Sequence, residues 1–209
     1  MQLYKNIVFD LGNVILNIDP MLSFEAFKNL GINNFDRLYT LSHQEGLFDS
    51  LETGMAGDEY YCNEIRRLSG TDLCNTDIIA AWNALILDFP RENLELLKRV
   101  KSKYRTFILS NTNHIHYRFY TSDLQENHQV NGLEELVQKA YFSHEIGLRK
   151  PDDAIFRYVE EDAAILPSET LFIDDSDVNC EAARKRGWNV ILYSGRSLPE
   201  LFREIGLPY

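Results

Sequence analysis

Three cysteines in 209 residues leave little room for sulfur chemistry. Cys62, Cys74 and Cys180 are odd in number and scattered, with neither metal-ligand nor redox spacing, so they read as reduced thiols of a cytoplasmic protein. No stretch approaches the ~20 consecutive apolar residues that a membrane span requires. The opening Met1-Gln2-Leu3-Tyr4-Lys5 has no basic region, long apolar run or small-residue cleavage site, and no secretory signal is expected. Positive charge is also scarce: 21 Lys and Arg face 32 Asp and Glu, a net −11, which argues against a nucleic-acid backbone or an anionic membrane as partner. The deficit is concentrated, because residues 18–88 hold 12 acids and 4 bases while the remainder holds 20 and 17. Solvated helix faces account for such a segment, but it also offers few cations to a multiply charged ligand. Internal repeats and low-complexity tracts are absent.

The length suffices for one good core and a small second lobe. Residues 5–10 are rich in Ile, Val and Phe with little alternation, as in a strand buried on both faces. The same character returns at 106–109, 140–142, 171–173 and 190–193. Between these runs the spacing predicts helices: 91–103 with Leu94, Leu97 and Val100 on one face, 152–161 with Ile155, Phe156 and Val159, and 177–187 closing on a basic turn and Gly187. Strands alternating with helices predict an α/β fold with a Rossmann-like, doubly wound parallel sheet. Residues 19–88 break the rhythm, with helix-like pieces near 21–30, 34–41, 44–52, 57–69 and 76–87 and no convincing strand. Asp19-Pro20 and Phe89-Pro90 bracket them like hinges. The expected organisation is a core of residues 1–18 and 89–209 with a helical lobe, 19–88, inserted after the first strand.

Asp10 closes the first apolar run, and Asp174 and Asp175 close that at 171–173. A carboxylate at a strand end cannot be buried alone without a large desolvation cost, and three brought together repel one another. A hard divalent cation with oxygen ligands, most simply Mg²⁺, removes that repulsion. In an open parallel sheet the C-terminal strand ends, where the winding reverses, form the ligand site. Asp10, Ser110 and Asp174 all fall at such ends.

Four strings occur in order: Phe9-Asp10-Leu11-Gly12-Asn13-Val14-Ile15, Leu109-Ser110-Asn111-Thr112-Asn113, Gly147-Leu148-Arg149-Lys150-Pro151 and Phe172-Ile173-Asp174-Asp175-Ser176. Together they resemble the four motifs of the haloacid dehalogenase (HAD) superfamily, with its bacterial glucose-1-phosphate phosphatase-like members the nearest likeness. The resemblance spans the chain, and residues 19–88 look like the helical cap of that superfamily. It implies a phosphatase in which Asp10 is the nucleophile. Asp10, Asp174, Asp175 and the Gly12 carbonyl would bind Mg²⁺, Ser110 and the Asn111 N–H would hold phosphate oxygens, and Lys150 would bridge nucleophile and phosphate. The implied partner is a small phosphorylated metabolite such as a glycosyl-1-phosphate.

Several positions admit a plainer reading. Ser110 could cap a following helix, and Lys150 could be an exposed turn lysine. Arg149 reads as a surface or salt-bridge residue. Asp177 and Asn179 stand between partners of the metal site and ordinary first-turn helix residues. His114 and His116 read as loop histidines, structural or exposed. Phe48 and Trp82 read as lobe core, though either could stack on a sugar face. Glu45-Gly46-Leu47-Phe48 and Trp82-Asn83 are the stretches to watch in this segment, and one well-placed Arg37 or Arg66 would offset its shortage of cations.

One position departs from the family pattern. HAD phosphatases usually carry a second Asp two residues after the nucleophile to protonate the leaving alkoxide, and here that position is Gly12. General acid–base help is typically worth about 10²–10⁴-fold. The proton must then come from Asn13 through water, a cap residue or the substrate, unless the leaving group has a low pKa, as an anomeric oxygen has. Dehalogenases also lack that acid but need no metal, which leaves Asp174-Asp175 without purpose. Phosphonate cleavage needs a cap lysine, and this segment offers only Lys28. A weakly active metabolite-binding or interaction protein is the alternative from another class.

Overall fold

The computed structural model describes residues 4–35, 39, 46–195 and 197–209. Five strands form one sheet: β1 (Asn6–Phe9), β2 (Arg105–Ser110), β3 (Lys139–Phe142), β4 (Thr170–Asp174) and β5 (Asn189–Leu192). Their spatial order is β3-β2-β1-β4-β5 and every pairing is parallel, the predicted doubly wound sheet. Parallel strands need helical crossovers that cover both faces, so each inner strand carries an apolar run, Ile7-Val8-Phe9, Phe107-Ile108-Leu109 and Leu171-Phe172-Ile173, flanked by polar residues. Asn6–Phe9 is buried at every position. β5 departs from its expected burial on both faces. As an edge strand it is half-exposed, and Leu192 is largely open.

Helices flank the sheet. On one side α5 (Arg91–Val100) and α10 (Leu198–Glu204), the latter through Leu198 and Phe202, pack with Ile7, Phe9 and Ile108. On the other, α8 (Asp153–Ala163) and α9 (Asp177–Lys185) pack with Val8, Phe107, Leu109 and Phe172. Their ends follow local chemistry. The Ser176 side chain caps α9 by accepting from the Asn179 N–H, and Arg184 and Lys185 fill its last turn. Three helices went unpredicted among the described residues: the short α7 (Ser143–Ile146), α10, and α6 (His114–His128), capped by Asn113 accepting from the His116 N–H at 3.0 Å. α6 lacks a clean apolar stripe, since only Ile115, Tyr120 and Leu124 are buried.

The inserted segment contributes α1 (Pro20–Asn29), α2 (Leu47–Glu52), α3 (Asp58–Ser69) and α4 (Asn75–Asn83). Asp19 caps α1 by accepting from the Met21 N–H at 2.9 Å, with Pro20 at the first helical position. Their apolar faces meet in a cluster of Phe27, Leu51, Tyr61, Ile65, Ile78 and Trp82, which also takes in Ile115 from α6. Most of the predicted helix near 34–41, including Arg37, and the start of that at 44–52, with Glu45, lie outside the described residues. The helix expected to 87 stops at Asn83 because the following chain pairs elsewhere. Ile18 and Ile86 form an antiparallel bridge, and Asp19 N–H donates to the Leu85 carbonyl at 2.8 Å. The chain thus leaves and re-enters the sheet region side by side.

Candidate active site

The register assembles the site. Phe9 pairs with Ile173, and the Asp10 N–H donates to the Ile173 carbonyl at 2.8 Å, so Asp10 emerges beside Asp174. Ser110 ends the neighbouring strand β2 one row further on. After Asp10 the chain turns sharply: the Leu11 carbonyl accepts from the Ile15 and Leu16 N–H groups, both at 2.9 Å. Buried Asn93 on α5 fixes this turn by donating to the Val14 and Ile15 carbonyls, each at 3.2 Å.

Lys150 is the hub. It is only 1 % exposed, and its Nζ donates to Asp10 Oδ1 at 2.7 Å and Asp174 Oδ2 at 2.6 Å. Burial opposes its charge, but the two carboxylates outweigh this and hold its pKa above the usual value. For Asp10 the balance tips the other way. Burial pushes its carboxyl up to about 6, with Lys150 pulling it down and Asp174 adding to the rise. The turn-lysine reading of Lys150 is therefore overturned, because an exposed turn would not place Nζ between two buried acids.

Asp174 is fully buried and closely wrapped. Its Oδ1 accepts from the Ser176 N–H at 2.8 Å, and Asn179 Nδ2 donates to Oδ1 and Oδ2 at 3.1 and 3.2 Å. Asn179 is thus a partner of the acidic cluster as well as a helix residue. Asp175 is exposed and accepts from Asn13 Nδ2 at 3.0 Å. Asn13 sits in the left-handed region at φ 55°, which asparagine tolerates better than most side chains, and from there reaches across to β4. Ligand oxygens of Asp10, Asp174 and Asp175 all lie within 4.8 Å of one another. Three carboxylates facing one ammonium leave an excess of negative charge. Hard oxygen donors at that spacing fit a divalent cation.

Asn111 does something the sequence did not announce. Its Oδ1 accepts from the Lys150 N–H and its Nδ2 donates to the Lys150 carbonyl, both at 2.8 Å. Ser110 is buried, and the following helix, which the plainer reading had it cap, is instead capped by Asn113. Asp177 is the first residue of α9, where an acid complements the helix dipole.

A family model of haloacid dehalogenase-like hydrolases matches residues 4–187. The chain belongs to this family. This hydrolase is similar to the D-ribitol-5-phosphate phosphatase of Bacteroides thetaiotaomicron, 30 % identical over 184 residues that cover 88 % of this chain and 89 % of the relative. Among solved structures it resembles a HAD family enzyme of that organism in complex with magnesium and inorganic phosphate: TM-score 0.86, 35 % identity, coverage 96 % and 100 %. A predicted HAD-like family hydrolase of Porphyromonas gingivalis is similar at TM-score 0.86 and 28 % identity, covering 97 % and 98 %.

The remaining expectations for this hydrolase divide. His114 and His116 begin a helix rather than lie on a loop. His116 Nδ1 is 2.9 Å from Asn83 Oδ1 and its ring stacks on Trp82 at 4.9 Å, while burial lowers its pKa to about 3 and keeps it neutral. Phe48 also stacks on Trp82, at 5.3 Å, so both aromatics serve the packing of the helical segment. Arg66 is committed within that segment, donating to the Leu73 carbonyl, Asn75 and Asn63. Arg149 pairs with Asp49 and Glu52 of α2, the salt-bridge role expected of it. Glu52 itself went unremarked in the sequence. Burial lifts its pKa to about 7 while the Lys150 charge pulls it down.

Proposed function

We propose that this hydrolase is a Mg²⁺-dependent phosphatase of a small phosphomonoester of the sugar or polyol class, working through an aspartyl-phosphate on Asp10. The observation that carries the reading is Lys150 Nζ bridging Asp10 and Asp174, with Asp175 within 4.8 Å. A lysine so placed restrains an attacking carboxylate and leaves donor capacity for a phosphate oxygen. The relative with magnesium and phosphate bound supports the same chemistry.

Asp10 would attack phosphorus with one oxygen. The P–O bond to the leaving group breaks as the Asp10–phosphorus bond forms, and the leaving oxygen takes a proton. Water then cleaves the acyl phosphate, releasing inorganic phosphate and restoring Asp10. The Ser110 hydroxyl, the Asn111 N–H and Lys150 would hold the phosphate oxygens. Residues 19–88 would act as the cap that excludes water. Asp10, Asp174, Asp175 and the Gly12 carbonyl would hold the metal, with Asp175 the freer carboxylate because both Asp174 oxygens already accept from protein donors. When bound, Mg²⁺ would offset the repulsion between nucleophile and phosphate.

Gly12 offers no proton, so an ester with a low-pKa leaving group, such as a glycosyl-1-phosphate, fits best. A β-carbon built on Gly12 would lie 3.0 Å from Ile18 Cδ1, so Ile18 crowds the place an acid would occupy. Gly12→Asp together with Ile18→Val, which removes that methyl, should raise kcat on alkyl phosphates by about 10²-fold and leave aryl phosphates unchanged. Steady-state kinetics on both substrate types checks this, and equal gains on the two would contradict it.

The function is tested by phosphate release from glycosyl-1-phosphates, pentitol 5-phosphates and an activated aryl phosphate, each with Mg²⁺ and with chelator. Metal-dependent turnover of a sugar or polyol ester supports the proposal. Turnover of the aryl ester alone locates the fault in proton supply. No metal-dependent turnover sinks the phosphatase reading and favours the second one motivated by Gly12, a protein that binds a phosphorylated metabolite without hydrolysing it.

Metal binding should also depend on pH. With its pKa raised from 3.8 to about 6, Asp10 favours the metal-free fold while protonated and withdraws that support as pH rises through 6. The metal needs the deprotonated form. The rise in Tm on adding Mg²⁺ should therefore be small at pH 5 and large at pH 7, as thermal scans at matched ionic strength would record. A shift independent of pH would count against Asp10 as a ligand.

A further inference from the structure

Arg149 immediately precedes the lysine at the hub, yet its guanidinium points away from the acidic cluster and into α2. There Asp49 and Glu52 stand one turn apart. Nη1 contacts Asp49 Oδ1, and Nη2 lies 3.1 Å from Glu52 Oε2. The next residue is fixed from the opposite side, where the Asn111 side chain takes both the N–H and the carbonyl of Lys150 at 2.8 Å. A displacement at residue 149 cannot dissipate in a loose loop, because the following peptide is clamped to Asn111, the residue after β2.

A second contact ties the same two segments. Gly54, in the turn after α2, has φ +72°, and a β-carbon there would stand 2.1 Å from the His144 carbonyl oxygen. Only glycine allows backbone to approach backbone this closely. α2 and its turn thus touch the stretch from His144 to Lys150 at both ends, once by steric fit and once by charge. Isolated surface ion pairs contribute about 0–1 kcal/mol. This one differs in placement: one guanidinium serves two carboxylates on one helix, and its side chain is 23 % exposed. Electrostatics crosses the same junction, since the Lys150 charge acts on Glu52 and both Glu52 and Arg149 act on Tyr39.

We propose that Arg149 is a positioning residue that latches α2 onto the segment carrying Lys150, so that turnover depends on the seating of the helical segment. Its kinetic consequence rests on the phosphatase reading. The latch itself does not. Losing it lets α2 lift and leaves Lys150 anchored from the Asn111 side alone, which affects the step that needs Lys150 aligned more than the first capture of phosphate.

The test uses the full chain as Arg149→Met, Arg149→Lys, Asp49→Asn/Glu52→Gln and the triple variant. Arg149→Met should lower kcat by about 10- to 100-fold with a smaller change in KM, the scale expected when a catalytic group is slightly misplaced. Arg149→Lys should recover part of this, because it keeps the charge but loses the two-pronged geometry. The triple variant should be no worse than Arg149→Met, since both changes break one interaction. Hydrogen exchange supplies a readout independent of activity. Amides of residues 46–54 should exchange faster in Arg149→Met and in Asp49→Asn/Glu52→Gln, while those of β1 and β4 stay protected. Unchanged exchange at 46–54, or additive losses in the triple variant, would overturn the latch. Absence of turnover in the native chain would count against the phosphatase alone, and exchange would then decide the latch by itself.

Discussion

Lys150→Met should unfold at lower denaturant and lose turnover together, with the stability loss itself dependent on pH. Methionine fills much of the lysine's volume but brings no charge to Asp10 and Asp174, which lie 2.7 and 2.6 Å from Nζ and are almost wholly buried. Breaking a buried ion pair by removing one partner costs about 3–5 kcal/mol, because the other charge is left without compensation. Asp10 can escape by taking up a proton. Its pKa is already raised to about 6 with Lys150 present, and removing a cation raises it further. An acid whose folded pKa exceeds its unfolded value supports the fold below the unfolded pKa and loses that support as pH rises through the folded one. The variant should thus come nearest to native stability at pH 5 and fall furthest behind at pH 8. Urea unfolding at the two pH values measures the difference, and an equal loss at both would mean that Asp10 does not depend on Lys150.

Asp10→Asn should separate activity from folding. The amide cannot attack phosphorus, and removing the covalent nucleophile of a serine protease costs on the order of 10⁶-fold in kcat, so a loss of that order is expected here. The fold should survive, because Lys150 keeps its bond to Asp174, and Asp174 keeps Ser176 and Asn179. Without Mg²⁺ at pH 8 the variant should match or exceed native stability, since it lacks a buried carboxyl whose ionised form the site disfavours. Acid-quenched mass spectrometry should find covalent phosphate on the Asp10 peptide of the native protein and none in the variant. Residual turnover near the native level would remove Asp10 from its proposed role.

The sheet and three of its helices were legible because a parallel strand buried on both faces carries an unbroken apolar run, and amphipathic helices such as α5 and α8 carry a clear stripe. α6 was not, because its buried residues Ile115, Tyr120 and Leu124 are set among polar and aromatic neighbours that answer to the helical segment and the sheet alike. β5 misled because an apolar composition does not reveal that one edge of the sheet is uncovered. In the site, Asp10, Lys150, Asp174 and Asp175 could be read from strand ends and motif order, and the structure brings all four together. Asn93 escaped notice, and so did the side-chain contacts of Asn13 and Asn111, which the motifs had marked for other roles, because that work is done through backbone geometry. A left-handed φ or a paired grip on another residue's peptide leaves no periodic trace. Arg149 and Glu52 escaped as a pair because nearly a hundred residues separate them, and only the packing of α2 reveals that they meet.

The central place of β1 has a consequence for how the molecule comes into being. The strand carrying the nucleophile is made first, yet its partners begin only at Arg105 and Thr170. On an emerging polypeptide it must wait, unpaired and with Ile7, Val8 and Phe9 uncovered, while the helical segment and most of the remaining chain are synthesised. Contacts so distant along the chain slow folding and expose sticky surface meanwhile. No fragment ending before β4 can place Asp174 beside Asp10, so function arrives late and all at once in the life of each new chain.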